Sequence, residues 1–378
     1  MVQAVTRNLF RAACSRVRRP LTAVRFMSNG GGGGGGGVTR YSDAMNELME
    51  RTPRQYCQLK DSNEVLTFRE FNPSGRYKLV FLPGFASDAD SWAALLASIL
   101  GDDHHVIAVN PRGYGGSTNH TPLSSHEDHA DDVQQVMTQV LGGNGEKAMV
   151  MGYSTGGGTA CWTALKYPTL VKAAFLKSSI PLNGQRMRKL SPQGKPEPGR
   201  FVSNYQDAVE HEQGFRAIGL QSPKVEVMRK FCCAMSSFPD RIPPAEDPIM
   251  KHIHKGRMES TISGMVEALV ANISFNVTPI YRPSLASHQE PSMVLKDLKT
   301  KLIVLHGAND NAIPHKHARA VTELAIALNW ADNNNNEKEG QQLISYYEHS
   351  GDHYPLMTVP DEFASVYRRA LVVEELEI

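Results

Sequence analysis

From residue 55 onward, short apolar and β-branched runs alternate with stretches whose apolar residues recur at helical spacing. The runs Gln55–Asp61, Val65–Asn72, Lys78–Gly84, His105–Pro111, Ala148–Ser154, Lys172–Ser179, Lys301–Gly307 and Leu343–Ser350 predict eight strands. Between the later ones, Ala89–Leu100, His126–Leu141, Thr155–Tyr167, His315–Asn329 and Asp361–Leu371 predict helices. Near-continuous apolar strands separated by helices imply a mostly parallel sheet with helices on both faces. The first two strands have no helix between them and imply an antiparallel start. The alternation stops at Pro181 and resumes near Lys301. Residues 183–298 read as helices and loops, with Gln206–Gly219, Lys224–Ser237 and Glu259–Ile273 the helical stretches. So long a segment is no plain connection within a sheet. It is expected to form a helical cap, inserted after the sixth strand, over the strand ends where open α/β sheets bind ligands. Its methionines, among them Met187, Met228, Met235, Met250, Met258 and Met265, either line an adaptable apolar pocket or fill gaps in the core.

Composition narrows the class. Of 378 residues, 41% are hydrophobic and 21% charged, the balance of an ordinary globular chain long enough to bury a large core without staples. Five cysteines without regular spacing fit neither a disulfide framework nor a zinc ribbon. No apolar run approaches the ~18 residues of a membrane span. The net charge of +1 hides an asymmetry: residues 1–40 hold seven arginines and no acid, which leaves −6 for the remainder. A mildly acidic body gives no electrostatic reason for nucleic-acid binding. Leu9, Phe10, Ala13 and Val17 can form an apolar stripe opposite the arginines, so residues 1–40 resemble a mitochondrial presequence, with Gly30–Gly37 as a flexible spacer. A disordered basic tail is the alternative. Residues 41–182 and 299–378 are then the two halves of the core domain, and the expected address is the mitochondrial matrix, with the cytoplasm second.

The chemistry-bearing signal is Met149-Val150-Met151-Gly152-Tyr153-Ser154-Thr155-Gly156-Gly157-Gly158. An apolar strand runs into Gly-x-Ser-x-Gly and then into a helical pattern. Such a turn strains the serine backbone and projects its hydroxyl, and the flanking glycines avoid collision with the neighbouring helix or strand. Phe81-Leu82-Pro83-Gly84-Phe85 followed by Trp92, Asn110-Pro111-Arg112-Gly113-Tyr114-Gly115-Gly116-Ser117, and the Gly-x-x-Asp ending at Asp310 accompany it. With these motifs, the chain from about residue 60 to 376 resembles the α/β-hydrolases, and Ser154–Gly158 is similar to their cofactor-free haloperoxidase/esterase branch. Pro83 and Asn110 depart from that family's usual His and Asp.

The resemblance implies the order nucleophile, acid, histidine along the chain. It makes Ser154 the nucleophile and Asp310 the acid, in a tight loop after a strand and within Gly-x-x-Asp-x-x-x-Pro. Of His349 and His353, the second lies two residues before a proline, where the family carries its histidine; His349 is the lesser candidate, still within the strand. The backbone N–H groups of Thr155 and Phe85 are the implied oxyanion donors. His126-Glu127-Asp128-His129, His252/His254 and His315/His317 invite a metal reading, yet i, i+2 pairs diverge, and solvated surface positions are expected instead. No cofactor or metal is implied. The expected activity is cleavage of a carboxylic ester, thioester or lactone of small or medium apolar character. Acyl transfer to another acceptor and a non-catalytic binding scaffold are the rivals. The oligomeric state is not legible.

Overall fold

The computed structural model describes residues 38–123, 125–142, 145–185, 187–219, 221–278, 295–334 and 342–377; of the expected presequence and spacer at residues 1–40, residues 1–37 lie outside these. An eight-stranded sheet organises the chain: β1 (Gln55–Gln58), β2 (Val65–Phe71), β3 (Tyr77–Leu82), β4 (His104–Val109), β5 (Ala148–Tyr153), β6 (Val171–Lys177), β9 (Lys301–Gly307) and β10 (Ile344–His349). Its order is β1-β2-β4-β3-β5-β6-β9-β10. The strand β2 runs antiparallel to both neighbours, and every pairing from β4 to β10 is parallel. Each expected strand forms, within about two residues at most ends.

Period-two alternation explains the layering. Along β3, Leu79 and Phe81 join one buried cluster and Val80 and Leu82 the other, so both faces are dry. Helices α2 (Ala89–Leu100) and α11 (Pro360–Val373) cover the first face, with α1 (Ser42–Arg51) outside α2. The second face is covered by α3 (His126–Leu141), α4 (Gly156–Lys166) and α9 (His315–Asn334). The caps that bound these helices are visible in the sequence. Ser125 accepts from the Asp128 amide at 3.1 Å to start α3, and Gly142, at φ +69°, ends it. A short α10 (Pro355–Thr358) precedes α11.

The insertion after β6 corrects one expectation. It is not only helices and loops. Arg188–Leu190 (β7) and Pro196–Phe201 (β8) pair antiparallel as a separate hairpin, ahead of α5 (Tyr205–Ala217), α6 (Val225–Met235), α7 (Pro248–Met258) and α8 (Ile262–Ser274). Two prolines and a glycine at φ +73° demote Pro196–Phe201 as a strand in any sequence reading. They are tolerated because β8 is a largely exposed edge. The insertion is no detached module: Met228, Cys232, Ile249, Met250 and Ile253 belong to the main core cluster.

Candidate active site

The two strands that matter most are neighbours where the strand order reverses. Leu82 of β3 is in register with Gly152 of β5, so the loops leaving both strands emerge side by side. Ser154 follows β5 with φ +52°, a left-handed conformation that costs a non-glycine residue about 1–2 kcal/mol. Surrounding contacts hold it there. Its amide donates to Lys177 O at 3.0 Å, while the Gly157 and Ile180 amides donate to its carbonyl at 3.0 and 3.1 Å. The glycines around it are sterically required. A Cβ at Gly152 would lie 2.2 Å from Gly156 O, at Gly156 2.6 Å from Leu82 O, and at Gly157 1.9 Å from Ser179 Oγ.

Asp310 and His353 come from the loops after the parallel pair β9 and β10, which lie in register at Gly307 and His349. His353 Nδ1 and Asp310 Oδ2 are 3.0 Å apart, and Asp310 Oδ1 accepts from the Ile313 amide at 2.8 Å. Burial works to raise the Asp310 pKa, but His353, His306 and the Ile313 amide outweigh it and hold the carboxyl below its ordinary value. His306 Nε2 lies 3.6 Å from Asp310 Oδ2 and 3.0 Å from Ile313 O. His349 is a different kind of residue. It is buried edge-on to Phe363, its Nδ1 accepts from the Gly351 amide at 3.2 Å, and burial pushes its pKa down to about 3.

Ser154 and His353 line one cavity of about 140 Å³, together with Gly84, Phe85, Thr155 and residues of the insertion. Among the described residues no hydrogen bond joins the Ser154 hydroxyl to His353; such contacts commonly tighten only with substrate present. Neither the Phe85 nor the Thr155 backbone N–H has an acceptor among the described residues, which leaves both free at the cavity. Gly84 keeps this corner open: a Cβ there would sit 3.2 Å from Ser154 Cβ, a tight contact. Much of the wall is apolar: Trp92, Phe215, Met228, Phe231, Met235 and Tyr354. Methionines of the insertion therefore serve both expected ends, with Met187, Met228 and Met235 at the cavity and Met250 in the core.

Three site residues escaped the sequence reading. Asn272 of α8 donates to Thr155 Oγ1 at 3.0 Å, and its carbonyl lies 3.1 Å from His126 Nε2, so it ties the insertion to the elbow. Asp352, next to His353, accepts from the Ser237 amide at 2.9 Å, the Tyr354 amide at 3.0 Å and Thr358 Oγ1 at 2.9 Å. Its bond to the Ser236 hydroxyl anchors the histidine loop to the end of α6. Arg257 of α7 lines the cavity while almost wholly buried. None belongs to a local motif, so no spacing signal marks them.

One expectation about histidines is overturned. His126 and His129 are core residues, not solvated ones, and burial lowers their pKa values to about 3 and about 4. His126 satisfies both ring nitrogens, with Thr159 Oγ1 at 3.0 Å and Asn272, and its ring is what a side chain at Gly158 would strike at 2.5 Å. His254 is buried too, against Ser222 O at 2.8 Å, whereas His317 is exposed. Among the described residues, no three His, Cys, Asp or Glu side chains converge as a metal site requires. No described helix is long and apolar enough to cross a membrane. Asn110 has a clear reason to be an amide. Its Nδ2 donates to Asp90 Oδ1 at 2.8 Å and to Thr67 Oγ1 at 3.0 Å, so an aspartate there would confront Asp90.

Comparison with known proteins agrees with this architecture. Residues 77–339 match the model of the alpha/beta hydrolase fold family. A bifunctional esterase/perhydrolase from Acinetobacter calcoaceticus is 31% identical over 127 residues, which are 33% of this chain and 45% of that protein. A non-heme chloroperoxidase from Streptomyces lividans is 31% identical over 115 residues, 30% of this chain and 41% of that one. The match thus spans less than half the length of either relative. A thermophilic esterase from Thermogutta terrifontis superposes with a TM-score of 0.55 at 17% identity, covering 85% of this chain and 98% of that chain. With the family model covering well over half the chain, and the elbow seated where its strand order reverses, this protein belongs to the α/β-hydrolase family.

Proposed function

We propose that this chain is a serine hydrolase that cleaves carboxylic esters through an acyl-serine intermediate. Ser154 attacks the ester carbonyl carbon while His353 accepts the hydroxyl proton. The Phe85 and Thr155 amides stabilise the tetrahedral oxyanion, and collapse expels the alcohol with the proton that His353 returns to it. Water then attacks the acyl-serine by the same route and releases the acid. Asp310 keeps the Nδ1 proton on His353 and stabilises the imidazolium. The observation that carries this reading is the 3.0 Å contact of His353 Nδ1 with Asp310, on a histidine that shares its cavity with a left-handed elbow serine. A cavity of about 140 Å³ with apolar walls favours small acyl groups, since a cavity of about 150 Å³ holds a benzene-sized molecule.

A fluorophosphonate probe combined with p-nitrophenyl esters of graded chain length tests this. Labelling should map to Ser154 and vanish in Ser154→Ala, with turnover declining as the acyl chain outgrows the cavity. Labelling elsewhere, or undiminished turnover by Ser154→Ala, overturns it. We further propose that residues 1–40 direct the chain to mitochondria, supported by seven arginines and no acid. A fusion of those residues to a fluorescent protein that stays diffuse in the cytosol refutes this.

A further inference from the structure

We infer that Arg257 forms an anion subsite in the catalytic cavity, so that the preferred ester carries a carboxylate at the end remote from the scissile bond. The inference rests on the serine-hydrolase reading and adds the substrate class to it. Arg257 is 1% exposed and lines the same cavity as Ser154 and His353. Its Nη1 meets only the Met265 sulfur, a weak acceptor, while Nε and Nη2 have no partner among the described residues. These two nitrogens form one edge of the guanidinium, the edge that holds both oxygens of a carboxylate in parallel. The protein itself uses this edge elsewhere: Arg112 Nε and Nη2 grip the two oxygens of Asp132 at 2.7 and 2.8 Å. At Arg257 the matching carboxylate is missing.

The neighbouring acid does not supply it. Glu212 is buried and lies close enough to influence Arg257, but Arg216 Nε engages its Oε2 at 2.7 Å, and its Oε1, without a hydrogen-bond partner among the described residues, forms no ion pair with Arg257. A monoanion entering the cavity would give Arg257 the carboxylate that no described residue supplies. Trp92, Phe215, Met228 and Phe231 supply the apolar surroundings in which such a pair is strong and a neutral isostere leaves the guanidinium unmatched. A cavity of about 140 Å³ suits a short half-ester of a dicarboxylic acid.

The test compares p-nitrophenyl hemisuccinate and hemiglutarate with p-nitrophenyl pentanoate on the unlabelled full chain, with fluorophosphonate labelling of Ser154 checked on a separate sample. The unaltered protein should favour the anionic esters in kcat/KM by at least about tenfold, and Arg257→Met should abolish that preference, with Arg257→Lys retaining part of it. Free glutarate should inhibit the unaltered protein competitively and the neutral glutaramide should not, a readout that holds even if Arg257→Met fails to fold. A protein that labels at Ser154 but shows no charge preference and no glutarate inhibition overturns the subsite alone. Failure to label at Ser154 removes the catalytic reading and the subsite with it.

Discussion

The two walls of the cavity are built on opposite terms. On the strand-end wall the groups that position the candidate nucleophile and base have partners: both Asp310 oxygens are engaged, and the Ser154 backbone is pinned through its amide and its carbonyl, while the Phe85 and Thr155 N–H groups have no acceptor among the described residues. On the wall contributed by the insertion, the one buried cation has two N–H groups with no acceptor among the described residues. Satisfied hydrogen bonds fix geometry, as a constellation of reacting groups needs. An unsatisfied buried charge destabilises its own surroundings unless something completes it, as binding would. The contrast separates a wall that holds atoms still from a wall that waits for a ligand. A second pair of groups repeats it. Asp310, beside its histidines, is held below the ordinary carboxylate range. Asp88 at the start of α2 is buried with Oδ1 unpartnered; burial, with Asp90 close by, raises its pKa to about 8.

The largest expected effect lies on the strand-end wall. Ser154→Ala and His353→Ala should each cost about 10⁵–10⁶ in kcat on a p-nitrophenyl ester, and Asp310→Asn about 10⁴. Double variants should fall little below the worse single, because the groups act as one unit. Additive losses would show that these residues do not form that unit. Next comes the tie between the walls. Asn272→Ala leaves Thr155 Oγ1 and His126 Nε2 without this partner in a buried setting, which should lower stability by about 1–3 kcal/mol in a denaturant titration. An unchanged midpoint would mean that the insertion is anchored elsewhere.

Asp88 sharpens the contrast through pH. Its folded pKa of about 8 exceeds the unfolded ~3.9, so the native state binds the extra proton between those values. Stability from this group is full below pH ~4 and is lost as pH rises toward 8. Asp88→Asn keeps an acceptor for the Ser91 amide, so it should match the unaltered protein in Tm at pH ~4 and exceed it by a few degrees at pH ~8–9. Asp310 has the reverse sign: its contribution is present above the unfolded carboxylate pKa and is lost as pH falls through the depressed folded value. A Tm difference for Asp88→Asn that does not vary with pH would contradict the assignment.

The smallest effect tests uniformity within the insertion. Amides of β8, whose residues are largely exposed, should exchange with solvent fastest, and those of α8, buried along most of its length, nearly as slowly as β5. If α8 exchanged as fast as β8, the insertion would open as one body, and Asn272 would not be its anchor.

How much of this was legible in the chain follows from how far apart the interacting residues lie. The strands, their helices and the elbow are local patterns, in which period, glycine placement and caps act over a few residues, and they are correspondingly visible in the sequence. So are the candidate triad positions, since each lies just after a strand that its own apolar run announces. The hairpin β7–β8 was hidden because prolines and a φ-positive glycine contradict strand propensity at an edge that tertiary context tolerates. The burial of His126 and His129 was hidden because both are polar residue types on the face that Ala130, Val133 and Met137 bury, and the partners of His126 lie on α4 and in the insertion. Asn272 meets Thr155 across 117 positions, and Ser237 meets Asp352 across 115. By itself the sequence determined the sheet, its layers and the candidate site positions at the strand ends, because those depend on short-range order. What ties the insertion to the elbow, which histidines are buried and where an unmatched guanidinium joins the cavity lining were decided by tertiary structure, because each depends on side chains brought together only when distant segments pack.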